Sequence, residues 1–276
     1  MSSACAPCAF SYGTHARQSV DLYHPTANTF ATTFPLLIWV HGGGWREGSK
    51  ADVPASILAL RAEGFAVASV GYRLSSETSS GPFIHYPAQS VDVGAAVSWL
   101  RTSPNVTSHR LDPSRFIAAG FSAGGHLASM LALHNSGNAA TAVQGLISIS
   151  ALTQLETLLI DREHLVPGTC TPLWRPDPFY CNAVGRRGGT QCMVGLLLGC
   201  SDLASCTPLT TQASPANFAA STAPPSLIIH GADDCWVSAN QSTRLYNSLL
   251  TAGASDTTLT LVPGIGHQEA TLMSDA

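Results

Sequence analysis

RFIAAGFSAGGHLASMLALH, residues 115–134, is the stretch around which the rest of the chain can be ordered. Arg115 to Gly120 is a short apolar run that closes on a glycine, and Ala123 to His134 carries apolar residues at helical spacing, so the pattern predicts strand, tight turn, helix. Between them stands Gly120-Phe121-Ser122-Ala123-Gly124. In so tight a turn the two glycines relieve crowding, the serine hydroxyl is projected out of the sheet, and the helix N-terminus offers amide donors beside it.

Working outward, the same kind of apolar run recurs at Phe34 to Val40, Phe65 to Gly71, Gln144 to Ser150, Ser226 to His230 and Thr257 to Val262. These runs are continuous rather than alternating, which suits strands covered on both faces. Segments with helical spacing lie between them at Val53 to Glu63, Ala88 to Arg101 and Gln241 to Ala252. The alternation predicts a single α/β domain over residues 1–276: a doubly wound, mostly parallel sheet with helices on both faces and its binding crevice at the carboxyl ends of the strands. One stretch breaks the rhythm. Residues 152–219 are scattered with Pro, Gly and Cys and show little periodicity outside Cys192 to Leu198, so they are expected to form a cysteine-stapled, lid-like insertion.

Composition narrows the function classes. The 276 residues are 45% hydrophobic and 11% charged, as befits a globule with a large core. Thirteen Lys and Arg against 17 Asp and Glu, with no basic cluster beyond Arg186-Arg187, leave no footprint for a nucleic-acid backbone. No apolar run approaches the roughly 18 residues that a membrane span needs. The first eight residues, MSSACAPC, have neither the basic start nor the apolar run of a secretory leader. Cysteine usage points the other way: six of the eight cysteines, Cys170, Cys181, Cys192, Cys200, Cys206 and Cys235, cluster in one quarter of the chain, with Cys5 and Cys8 at the start. An even, clustered set favours disulfides and a secreted or periplasmic protein, the alternative being reduced core cysteines in a cytoplasmic one. Cys5-Ala-Pro-Cys8 has the spacing of half a zinc site with no second half, so no metal is expected.

Two further motifs fall at strand ends. His41-Gly-Gly-Gly44-Trp45 follows the first long strand, and consecutive glycines there leave backbone N–H groups open to an oxyanion. Gly43 and Gly44 are the expected donors, joined by Ala123 after the serine. Late in the chain, His230-Gly-Ala-Asp233-Asp234-Cys235 and Pro263-Gly-Ile-Gly-His267 each close a strand. A serine hydroxyl becomes nucleophilic when an imidazole takes its proton and a carboxylate orients that imidazole; Ser122, then an aspartate, then His267 is the chain order such a sheet imposes. Either Asp233 or Asp234 could supply the carboxylate. Trp45 and Phe121 are candidates for the substrate pocket. His41 and His126 read as structural, and Trp174, Phe179 and Tyr180 could roof an aromatic acyl group.

Together, HGGGWREGSK, GFSAGGHLA, HGADDCWV and LVPGIGH resemble the motifs of α/β-hydrolase carboxylesterases, and are most similar to bifunctional acetylxylan/feruloyl esterases and related lipase-like esterases. The resemblance spans about residues 18 to 270. It implies the α/β-hydrolase fold and a serine carboxylic-ester hydrolase acting through an acyl-enzyme, without cofactor, on short-chain acyl or aromatic (acetyl or feruloyl) esters, small or polymer-linked. It implies the triad Ser122, Asp234 and His267, with Asp234 chosen over Asp233 because it occupies the aspartate of HGxxDxxV. Two other readings stand beside it: an arylformamidase-like amide hydrolase, and a non-catalytic binding protein on the same fold.

Overall fold

The computed structural model describes residues 7–26, 32–75, 83–104, 108–134, 137–163, 193–200 and 206–272. Its centre is an eight-stranded sheet: β1 Cys8–Ser11, β2 Ser19–Tyr23, β3 Phe34–Val40, β4 Ala66–Val70, β5 Leu111–Phe121, β6 Gly145–Ile149, β7 Ser226–Gly231 and β8 Thr257–Val262. The spatial order is β1-β2-β4-β3-β5-β6-β7-β8. β1 and β2 pair antiparallel with each other, β2 pairs antiparallel with β4, and every pairing from β4 through β8 is parallel. This is the α/β-hydrolase arrangement, a mostly parallel mixed sheet flanked by helices on both faces.

The chain leaves β3 to one side to make β4 and returns on the other to make β5. That reversal opens a crevice above the carboxyl ends of β3 and β5. Val40, the last residue of β3, pairs with Gly120 of β5, so the glycine loop and the serine turn emerge side by side. Alternation along the strands fills both faces. Leu36, Ile38 and Val40 join Ala66, Ala68, Phe116 and Leu127 in one core cluster. Leu37 and Trp39 join Ile57, Val67, Ala119 and Ile149 in another. Each such leucine or isoleucine contributes roughly 1.5–3 kcal/mol relative to exposure.

The predicted strands and helices are present with small shifts at their ends. β5 begins at Leu111 rather than Arg115, and the helix after the serine runs Ala123–His134 as read, with eleven residues from Ala123 to Leu133 buried. The predicted Val53 to Glu63 helix is an α-helical turn, Ala55–Ala59, continued as a 3-10 helix, Leu60–Glu63, which ends at Gly64 with φ 90°. The antiparallel strands β1 and β2 were not expected. Both are short, and the exposed positions of β1 and Asp21 of β2 interrupt the apolar runs by which the parallel strands are recognised.

Within residues 152–219 the described elements are Leu155–Thr157, Leu158–Glu163, Met193–Leu198, Thr207–Gln212 and Pro215–Phe218, all helical turns. Met193–Leu198 is buried throughout, and its carbonyls accept from His85 Nδ1 (2.7 Å, at Leu196) and the Tyr86 amide (2.6 Å, at Leu197). Near the start of this stretch, buried Asp161 receives Arg244 Nη2 at 2.8 Å and Gln241 Nε2 at 2.6 Å, tying it to the helix Asn240–Thr251. Trp174, Phe179 and Tyr180 lie outside the described residues. Among the described residues, no helix is long and apolar enough to cross a membrane.

Candidate active site

Ser122 sits in the one-residue corner between β5 and the helix Ala123–His134. Its φ is 56°, in the left-handed region that non-glycine residues rarely occupy, and it is held there by bonds on both sides: Ser122 N donates to Ile149 O (2.8 Å) and Ser122 O accepts from His126 N (2.9 Å). The corner is possible only because the backbone beside it is bare. A Cβ on Gly124 would lie 2.0 Å from Val40 O, and one on Gly120 would lie 2.4 Å from the Gly124 carbonyl. Sequence context thus becomes geometry: two glycines let the helix press against β3, which brings Ser122 under the glycine loop.

His267 comes from the loop after β8 and Asp234 from the turn after β7. The loops are laced together, with Ala232 N donating to Val262 O (2.9 Å) and Asp233 N to Ile265 O (3.0 Å). His267 Nε2 lies 3.0 Å from Ser122 Oγ, and His267 Nδ1 lies 2.6 Å from Asp234 Oδ2. Asp234, and not Asp233, is therefore the carboxylate that the imidazole meets. Its other oxygen, Oδ1, accepts the amides of Trp236 (2.8 Å) and Val237 (2.9 Å). Burial pushes the Asp234 carboxyl up, but hydrogen bonds from His230 and His267 outweigh it and hold the group well below the usual carboxylate range. With Nδ1–H on the carboxylate, Nε2 is left as the acceptor for the serine proton.

One member of this constellation was not assigned from the sequence. His230 is fully buried, takes the Ser242 hydroxyl on Nδ1 (2.6 Å), directs Nε2 at Val237 O (2.9 Å), and places that nitrogen 3.3 Å from Asp234 Oδ2. The signal was present in His230-Gly231-Ala232-Asp233-Asp234, whose tight turn, Asp234 N to Gly231 O at 3.2 Å, folds the aspartate back over the histidine.

The glycine loop forms the roof. Gly43 and Gly44 have φ of 103° and 58°, and the Gly43 carbonyl accepts the amides of Arg46 (3.1 Å) and Glu47 (3.0 Å), turning the chain over. A Cβ on Gly42 would lie 3.5 Å from Ser122 Cβ, which measures how closely loop and serine approach. His41 braces the loop as expected. Its Nδ1 bonds Gly42 O (2.8 Å), its ring stacks on Tyr72 at 4.4 Å, and the Tyr72 hydroxyl donates to His41 O (2.9 Å). His126 accepts the Trp45 indole N–H on Nδ1 (3.2 Å) and meets Ala213 O through Nε2 (2.7 Å). Burial holds both imidazoles down to about 4, so they are neutral around pH 7.

Trp45 corrects an expectation. It has no exposed surface, and its indole nitrogen is consumed by His126, so it packs the loop onto the serine helix and cannot wall a pocket. Phe121 does lie at the site, half-buried, with its ring centroid 4.7 Å from that of His267. Trp236 was also unassigned: it is 45% exposed and nearly parallel to the His267 ring, at 14° and 6.3 Å.

Cys200 and Cys206 are joined in a disulfide, and Cys8 and Cys235 each take part in a disulfide of their own. Away from the triad, ligating atoms of Cys8, His24 and His109 lie within 4.8 Å of one another. The Cys8 sulfur is occupied by its disulfide and His24 Nε2 bonds His109 Nδ1 at 2.8 Å, which leaves an imidazole pair rather than a three-ligand set.

The chain matches the BD-FAE family over residues 20–161 and 181–249. It is 26% identical over 234 residues to Esterase LipC of Mycobacterium tuberculosis, covering 84% of this chain and 52% of LipC. It is 26% identical over 266 residues to Esterase LipQ of the same organism, covering 93% of this chain and 55% of LipQ. The chain thus spans about half the length of these curated relatives. Among solved structures, a truncated form of a carbohydrate esterase from gut microbiota superposes with a TM-score of 0.75 at 26% identity, over 94% of this chain and 89% of that one.

Proposed function

Since the chain belongs to the BD-FAE family, we propose that it is a serine ester hydrolase with Ser122 as nucleophile, His267 as general base and Asp234 as the carboxylate that orients it. The observation that carries this reading is the unbroken relay from Asp234 Oδ2 to His267 Nδ1 at 2.6 Å and from His267 Nε2 to Ser122 Oγ at 3.0 Å.

His267 Nε2 takes the Ser122 proton as Oγ attacks the ester carbonyl. The amides of Gly43, Gly44 and Ala123 receive the oxyanion, each such donor being worth roughly a hundred- to a thousandfold in rate. Asp234, already saturated with donors, stabilises the imidazolium without taking its proton. His267 then protonates the departing alkoxide, and water activated by the same nitrogen releases the acid from the acyl-enzyme. No metal or organic cofactor is assigned a role. Phe121, packed on His267, borders the space where the reacting carbonyl must sit. Short acyl or feruloyl groups are the proposed acids, and the disulfides support a secreted or periplasmic setting.

The test is hydrolysis of p-nitrophenyl esters from acetate to decanoate and of methyl ferulate, with N-formylkynurenine included. Turnover is expected to peak on short or feruloyl esters and to vanish in a folded Ser122→Ala protein. An active Ser122→Ala variant refutes the scheme; cleavage of the formamide alone moves the assignment to an amide hydrolase.

A further inference from the structure

We propose that Met193 sets the length of the acyl group: its thioether closes the acyl side of the site, so that small saturated acids are released and a feruloyl group is turned away. The inference rests on the reading of Ser122 and His267 as nucleophile and base, and decides between the two kinds of acid which that reading leaves open.

The sheet order fixes the side on which the acyl group lies. His267 follows β8 and the glycine loop follows β3, with β5 and Ser122 between them. His267 Nε2 must reach the oxygen of the departing alcohol, so the alcohol lies toward β8. The acyl chain leaves the same carbon in the opposite direction, toward β3 and the amides of Gly43 and Gly44.

Three residues of that loop are already engaged elsewhere. Gly42 approaches Phe121 and Ser122, Gly43 is folded against the Glu47 carbonyl, and Trp45 is buried with its indole on His126. Gly44 faces Met193. A Cβ on Gly44 would collide with Met193 Sδ and lie 3.1 Å from its Cγ and its Cε, so the thioether occupies the place of the side chain that Gly44 lacks. Met193 is 7% exposed and covers a buried Gly44. With the carbonyl oxygen on the Gly44 amide and the sulfur against the Gly44 Cα, an acyl chain meets the thioether within roughly its first two or three carbons.

The thioether is presented from a fixed backbone. Met193–Leu198 is anchored by His85 Nδ1 on Leu196 O (2.7 Å) and by the Tyr86 amide on Leu197 O (2.6 Å). It ends at Gly199, φ 74°, where a Cβ would lie 3.0 Å from the His85 ring, and the Cys200–Cys206 disulfide follows directly. An unbranched thioether on such a support can bend but cannot leave. A longer acyl chain must displace it from the core cluster to which it belongs, and a feruloyl group, rigid from its carbonyl outward, cannot curl around it.

Two measurements test the proposal. The first is kcat/KM for p-nitrophenyl acetate and hexanoate and for methyl acetate and methyl ferulate, in wild type, Met193→Ala and Met193→Leu. In wild type, hexanoate and ferulate are each expected to fall roughly tenfold or more below the acetate of the same alcohol, the discrimination that a pocket wall gives against extra carbons. Both ratios to acetate should recover about tenfold in Met193→Ala and change little in Met193→Leu, which keeps the bulk. The second measurement fixes the acyl group and varies the alcohol: the relative kcat/KM of methyl, ethyl and benzyl acetate should be the same in Met193→Ala as in wild type, because the alcohol lies on the other side. If Met193→Ala does not fold, Met193→Val, which removes the end of the thioether, carries the same comparisons. A wild-type preference for hexanoate or ferulate, ratios to acetate that Met193→Ala leaves alone, or an alcohol series that shifts as far as the acyl series overturns the role of Met193. Absence of Ser122-dependent turnover on any ester overturns the hydrolase reading, and the acyl side with it.

Discussion

His230 and His267 approach the same oxygen of Asp234: His267 Nδ1 at 2.6 Å and His230 Nε2 at 3.3 Å. The carboxylate is therefore gripped by two rings and two amides, and only one of those rings touches the serine. His230 acts through Asp234 as a positioning residue. Replacing it with phenylalanine should lower kcat roughly tenfold with little change in KM, in line with the loss of one charge-assisted hydrogen bond. With one donor fewer the carboxylate pulls harder on His267, so the acid limb of the kcat/KM profile should move to higher pH. His230→Gln, which keeps an N–H donor, should recover part of the rate. An unaltered pH profile in the phenylalanine variant would mean that His230 only fills space.

Behind the site, Asp92 is buried and receives Arg73 N (3.0 Å), Nε (2.8 Å) and Nη2 (2.7 Å) together with Gln18 Nε2 (2.7 Å). The network joins the segment after β4 to the helix Ala88–Thr102 and the turn before β2. Arg73→Ala strands the carboxylate and should cost about 3 kcal/mol, or about 5 °C in Tm. Thermal unfolding at pH 7 checks this, and a shift of under 2 °C would show that water replaces the guanidinium.

Acid should weaken the fold before any carboxylate of the site is protonated. Burial holds His41 and His126 at about 4, against 6.5 in the unfolded chain, so between these values the unfolded state binds more protons. Stability then falls as pH is lowered, by about 1.4 kcal/mol per pH unit for each imidazole. Glu269 opposes this. Burial, and then Asp52, raise its carboxyl from 4.5 to about 7, so the folded state holds the extra proton in that interval. Two imidazoles outweigh one carboxyl, and Tm should decline from pH 6.5 to 4.5, more steeply in Glu269→Gln. A level or rising Tm across that window contradicts the account.

The Cys200–Cys206 bridge closes a short loop, with a sequence separation of 6. Loop-closure entropy assigns such a bridge about 2 kcal/mol. The double variant Cys200→Ala/Cys206→Ala should melt about 3 °C lower. Unchanged melting would place the constraint in the packing of Met193–Leu198 rather than in the bond.

The parallel core and the turns that bring Ser122, Asp234 and His267 together were legible because each rests on a local signal: continuous apolar runs for β3 to β7, and small-residue turns directly after β3, β5, β7 and β8. β1 and β2 were missed because antiparallel strands near a sheet edge need no continuous apolar run. Trp45 was misplaced for a different reason. An indole after three glycines reads equally as pocket wall or core, and what decides between them is the distant acceptor His126, 81 residues along the chain. His230 and Trp236 escaped because their roles come from Asp234, whose side chain gathers partners from both sides of its own turn. Patterns of spacing reveal where a turn falls, and only the folded turn reveals which neighbours its carboxylate recruits.

The His126 ring bolts three pieces together: Trp45 of the glycine loop on one nitrogen, Ala213 on the other, and the serine helix through its own backbone. None of these can loosen alone without stranding a buried polar atom. The glycine loop, the serine turn and the residues around Ala213 should therefore open as a single cooperative unit, with amide hydrogen exchange similarly slow in all three.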